Sequence, residues 1–86
     1  MKVLFHKDFE KEYQRASPKI RAQFERRLIL FVNEPSLPLL NNHRLRGEFK
    51  NLYSINVTGD IRAVYEVVNS EAVLFVLLDT HSNLYE

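Results

Sequence analysis

The run LYSINVTGDIRAVYEVVNSEAVLFVLL, residues 52–78, decides the fold. Over Leu52–Thr58, Tyr53, Ile55 and Val57 alternate with Ser54, Asn56 and Thr58, the period-2 pattern of a strand with one buried face. Thr58-Gly59-Asp60 reads as a tight connection. Ile61–Val68 then puts Ala63, Tyr65 and Val67 on one side and Arg62, Val64 and Glu66 on the other. Asn69-Ser70 turns the chain again, and Val73–Leu78 is apolar at every position, which predicts a central strand covered on both faces. Connections this short require antiparallel neighbours.

Working outward from this run, His43–Phe49 reads as a further strand paired with the one that begins near Leu52. Residues 35–42, with Pro35, Pro38, Asn41 and Asn42, form a loop. Before it, Ser17-Pro18 starts a helix, with serine as N-cap and proline at the first helical position, where its missing N–H is no loss. Ile20, Phe24, Leu28 and Phe31 make its apolar stripe with Val32 beside it, and Glu34-Pro35 ends it, because a residue before proline disfavours the helical conformation. Residues 7–16 form an earlier helix, with Phe9, Tyr13 and Ala16 on one face. Lys2–Phe5 is an edge or joining strand. The order β-α-α-β-β-β-β gives an α+β fold, one domain over residues 1–86: two N-terminal helices packed on one face of a twisted antiparallel sheet. Ser54, Asn56, Arg62 and Glu66 then project from the other face, where simple solvation accounts for them as well as function does.

Composition narrows the classes. With 45% hydrophobic residues the chain can bury a core, which excludes general disorder. It has no cysteine, so disulfides and thiolate zinc sites are excluded and a reducing, cytoplasmic location fits. The longest apolar run, Ala72–Leu78, falls far short of the ~20 residues that span a bilayer. Val3–Phe5 is followed at once by His6, Lys7 and Asp8, which is no signal-peptide core. The expectation is a soluble cytoplasmic domain with no membrane partner. Charge is uneven: residues 1–62 hold all 12 Lys and Arg against 7 acids, whereas residues 63–86 hold 4 acids and no Lys or Arg. A net charge of +1 therefore conceals a basic region able to meet a polyanion or an acidic protein.

The three histidines form no metal motif, so neither a metal nor a cofactor is expected. His6 sits among charges at the first helix start and reads as a surface residue. His43 and His81 lie at strand edges; taken singly, each fits a structural or solvent-facing role better than a catalytic one. The set His43, Asp60, Arg62, His81 and Tyr85 is worth more than its members. Imidazoles move protons near neutral pH, and a carboxylate orients an imidazole or stabilises its protonated form. Arginine presents a fork to phosphate and stabilises growing charge, and tyrosine stacks on a base or donates a proton. These are the parts of metal-free RNA cleavage through the 2′-hydroxyl.

Three stretches resemble the bacterial RelE/ParE toxin superfamily, YafQ-like branch. Asn42-His43-Arg44-Leu45-Arg46-Gly47-Glu48-Phe49-Lys50-Asn51-Leu52-Tyr53-Ser54-Ile55-Asn56-Val57 is similar to its "H-x-L-x-G…S-x-x" block. Gly59-Asp60-Ile61-Arg62-Ala63-Val64-Tyr65-Glu66 is similar to its "D-[YWI]-R-x-[IV]-Y" strand. Leu78-Asp79-Thr80-His81-Ser82-Asn83-Leu84-Tyr85 resembles its "x-G-T-H-x-x-[LVI]-[YF]" terminus, with Asp79 where glycine is common.

The resemblance implies the toxin of a type II toxin–antitoxin pair: an endoribonuclease (mRNA interferase) that cuts messenger RNA on the ribosome without metal and is silenced by a cognate antitoxin protein. It implies His81 as general acid or base with His43 as complement, Asp60 orienting a histidine, Arg62 on the scissile phosphate and Tyr85 positioning a base. Lys50, Arg46 and Arg44 would add RNA or phosphate contacts, and a solvated surface accounts for these three equally. Glu66 would be an ion-pair partner of Arg62. Asn56 departs from the branch, whose prototype carries a further histidine there, so a full histidine set is not implied. The alternative within the superfamily is a ParE-like toxin that poisons DNA gyrase by protein binding, or a weakly active relic that still binds antitoxin.

Overall fold

The structure is a computed structural model that describes residues 1–47 and 51–80. Strand β1 (Lys2–Phe5) leads into helix α1 (Lys7–Arg15) and helix α2 (Pro18–Asn33), followed by a 3-10 turn (Pro38–Leu40). Strands β2 (His43–Arg44), β3 (Leu52–Asn56), β4 (Ile61–Asn69) and β5 (Ala72–Thr80) complete it. The helix starts follow the sequence. Ser17 Oγ accepts from Ile20 N ahead of Pro18, and His6 Nδ1 accepts from Asp8 N at 3.0 Å, so His6 is the N-cap of α1.

The sheet runs β1-β5-β4-β3-β2. The four C-terminal strands pair antiparallel, as the short connections require. β1 pairs parallel with β5, Lys2 opposite Ala72 through Phe5 opposite Phe75, so the sheet is mixed and not wholly antiparallel. The helical hairpin causes this: it returns the chain across one sheet face and lets β1 and β5 run the same way, as a crossover does. The β2 strand is also shorter than the predicted 43–49; Leu45 N still donates to Leu52 O, and Phe49 lies outside the described residues.

The helices cover one face of the sheet. Phe9, Phe24, Phe31, Leu40, Ile55, Val57, Ala63, Tyr65, Val73, Phe75 and Leu78 form the main core. Phe75 is at its centre, in ring contact with Phe5, Phe9, Phe24, Phe31 and Tyr65. The alternation of β3 is as read, since Ile55 and Val57 face the helices. Val67 keeps to that side, opposite Val73, but is 49% exposed, at the edge of a register irregularity between Val67 and Asn69.

The opposite face is not simply solvated. Leu45 and Val64 form a second cluster there with Leu52, Val76 and Leu77. A β-bulge supplies it: the β4–β5 register slips between Val64/Leu77 and Tyr65/Phe75. Phe75 and Leu78 therefore both face the helices, while Val76 and Leu77 both turn to the far side.

Candidate functional site

Residues opposite one another across a sheet share a face. His43 stands opposite Ser54, Ser54 opposite Val64, and Val64 opposite Leu77. The next row is Asn56, Arg62 and Asp79. The far face thus carries His43, Ser54, Asn56, Arg62 and Asp79 beside the Leu45–Val64 cluster. His43 and Arg62 are two strands apart and two residues apart along them, roughly 12 Å between Cα atoms by ordinary strand spacing and rise.

The loop before β2 sets the His43 ring. Asn41 closes the 3-10 turn in the left-handed region, φ 46, and its carbonyl lies 2.8 Å from His43 Nδ1. A carbonyl only accepts, so Nδ1 carries the proton and the neutral ring keeps its lone pair on Nε2. That is the tautomer a general base needs. Asn42 anchors the same loop: its Nδ2 donates to Pro35 O at 3.0 Å, and its Oδ1 accepts from Tyr65 Oη at 2.8 Å. Burial is the main cause that pushes the Tyr65 phenol above its ordinary pKa. From α2, Arg27 Nη1 donates to Leu39 O and to Asn56 O, tying loop and β3 to the helix.

The β3–β4 connection holds Asp60 and Arg62. Thr58 Oγ1 accepts from Asp60 N and Ile61 N, at 3.2 and 2.9 Å. Arg62 Nη1 donates to Thr58 O at 2.9 Å and also lies in reach of Gly59 O and Ile61 O. The Arg62 guanidinium therefore braces its own turn as well as bordering the far face, and Asp60 is exposed in that turn. Glu66 is exposed opposite Leu52 and Leu74 and forms no ion pair with Arg62, so the proposed Arg62–Glu66 pair is corrected: the Arg62 guanidinium turns the other way, to the carbonyls of Thr58, Gly59 and Ile61.

The basic residues divide. Arg44 stands opposite Tyr53, which packs toward the helices, so the register assigns Arg44 to the other face from His43. Arg46 is exposed at the β2 edge, just before Gly47, whose φ of 68 suits a residue with no Cβ. Lys50, His81 and Tyr85 lie outside the described residues.

Four residues matter here to which the sequence assigned no specific role. Ser54 is fully buried between His43 and Val64, and its Oγ, like Asn56 Oδ1, has no hydrogen-bond partner among the described residues. No periodic signal predicts that. Asn42 looked like any loop asparagine. Arg27 and Glu12 did have a signal: each falls three residues after an inward phenylalanine, Phe24 and Phe9, so each is a charge on a core-facing stripe.

No protein-family model matches the chain, and no curated protein matches it either. Solved structures do. YafQ from E. coli strain BL21(DE3) superposes with a TM-score of 0.80 at 17% identity, covering 98% of this chain and 97% of YafQ. A YoeB/ParE toxin from Agrobacterium tumefaciens gives 0.78 at 20% identity over 94% of this chain and 99% of its own. YafQ in the E. coli DinJ-YafQ toxin-antitoxin complex gives 0.77 at 17% identity, with 98% and 96% covered. With 94–98% of the chain covered in these superpositions, the fold of this chain is the one the YafQ and YoeB/ParE toxins share, the RelE/ParE-type toxin fold.

Proposed function

We propose that this chain is the toxin of a type II toxin–antitoxin pair and acts as a metal-independent endoribonuclease on messenger RNA, in association with the ribosome. The observation that carries the reading is the likeness over nearly the whole chain to toxin structures, one of them in complex with its antitoxin. Supporting it, the far face carries a histidine held with its lone pair on Nε2 and, one row along, an arginine. In this reading one histidine removes the 2′-proton and the other protonates the leaving 5′-oxygen. His81 leads, His43 complements it, Asp60 stabilises imidazolium charge, and Arg62 neutralises the strained phosphate. Tyr85 positions a base, while Lys50 and Arg46, with Arg44 from the other face of the strand, contact backbone phosphates and make binding salt-dependent. The partner of the free protein is its cognate antitoxin.

Wild type and His81→Ala, expressed from a tightly controlled promoter at matched protein levels, test this through growth and transcript cleavage. Growth arrest with cleaved transcripts for wild type, and neither for His81→Ala, is the expected result. Equal toxicity of the two would remove His81 from the mechanism. Arrest without cleavage, accompanied by loss of supercoiling, would replace the ribonuclease with a gyrase-directed toxin of the same fold.

A further inference from the structure

Strand β1 stops at Phe5, opposite Phe75. His6 N then donates to Phe75 O at 2.8 Å, and the chain turns into α1. Beyond Phe75, β5 thus runs on without a strand on its β1 side among the described residues. At that point α1 supplies a substitute. Glu12 Oε1 accepts from Leu78 N at 3.3 Å, a contact that joins residues from opposite ends of the chain. A carboxylate on a backbone N–H is a charge-assisted hydrogen bond that aims the donor. Leu78 is also where the buried part of β5 ends: its side chain belongs to the core, and Asp79 and Thr80 after it are half-buried.

We propose that Glu12 is a positioning residue: its carboxylate fixes the backbone at Leu78, and so the end of β5 that precedes His81 by three residues in the sequence. The structural part stands by itself; the consequence for activity rests on the ribonuclease reading. The surroundings favour such a role over a passive surface charge. Burial, followed by repulsion from Asp79 and Asp8, pushes the Glu12 carboxyl above its ordinary pKa, while the Leu78 amide and Arg15 pull it down. Asp8 and Arg15 belong to its own helix and Asp79 to β5; from α2 and β4 the same cleft receives Ile20 and Ile61, which carry no charge. A hydrated glutamate one turn away would avoid the desolvation and the repulsion.

Amide exchange at Leu78, followed by NMR in the whole purified protein, reads the geometry; cleavage kinetics on RNA read the consequence. Glu12→Ala should speed exchange at Leu78 about tenfold, leave the Phe31 and Phe75 amides unchanged, and lower kcat with KM unmoved. Glu12→Gln keeps an accepting oxygen and should restore both. Unchanged exchange in Glu12→Ala, or a Glu12→Gln variant no better than Glu12→Ala, would overturn the proposal. Faster exchange with undiminished kcat would overturn the positioning role. If wild type cleaves no RNA, the ribonuclease reading fails on its own, and the exchange arms still decide whether Glu12 holds Leu78.

Discussion

The two faces of the sheet are both closed at their centres, yet they are built on different principles. Toward the helices, aromatic rings pack with their buried hydroxyl, that of Tyr65, satisfied by Asn42, and Phe75 touches five other rings. On the far side a small aliphatic cluster borders a histidine, a buried serine and an asparagine, and Ser54 Oγ and Asn56 Oδ1 lack partners among the described residues. The first arrangement maximises apolar burial and ring contact. The second leaves desolvated polar atoms in place, which folding alone disfavours. A face that holds such groups beside a histidine of set tautomer is the face where function is to be sought.

Graded substitutions can break or sharpen this contrast. Phe75→Ala removes the hub of the helix-side core and should destabilise by about 3–5 kcal/mol, or abolish folding, as read by denaturant midpoint. Val64→Ala, equally inaccessible on the far face, removes fewer atoms and should cost about 2 kcal/mol; a loss as large as that of Phe75→Ala would erase the distinction between the faces. Ser54→Ala should move the other way. It deletes a buried hydroxyl without a partner, so stability should stay level or rise by about 0.5–1 kcal/mol, and a marked loss would mean that Ser54 is satisfied after all.

The smallest effect is one of pH. Because the Glu12 carboxyl is raised above 4.5 in the folded state, that state binds its proton more tightly than the unfolded chain. The resulting contribution to stability is fully present below pH 4.5 and is lost as pH rises through the folded value. Glu12→Gln should flatten that slope and give a slightly higher Tm at neutral pH, measured by thermal unfolding across pH.

Much of this architecture was legible because it is written in periodicity. Tyr53, Ile55 and Val57 face the helices as their spacing predicts, and Ser17-Pro18 starts α2 where its chemistry requires. The bulge in β5 was not legible, since every residue of Val73–Leu78 is apolar and no alternation remains to slip. Nor was the direction of β1: a parallel pairing between chain ends depends on how the helices return the chain and leaves no local mark. Of the candidate residues, His43 and Arg62 were grouped from the sequence and do reach one face, through cross-strand register. The face of Arg44 was not legible, because it depends on which residue of β3 stands opposite, and Tyr53 there packs toward the helices.

The parallel pairing of β1 with β5 has a consequence for how the molecule comes into being. Among the described strands, the first in the sequence finds its partner in the last, with Lys2 beside Ala72. Until β5 emerges, Phe5 and Phe9 lack the ring of Phe75, and the helical hairpin has no completed floor to rest on. Such long-range closure is slow and cooperative. No half of the chain is a smaller version of the whole, so a nascent or truncated chain of this design lacks the fold, and with it whatever activity the fold carries.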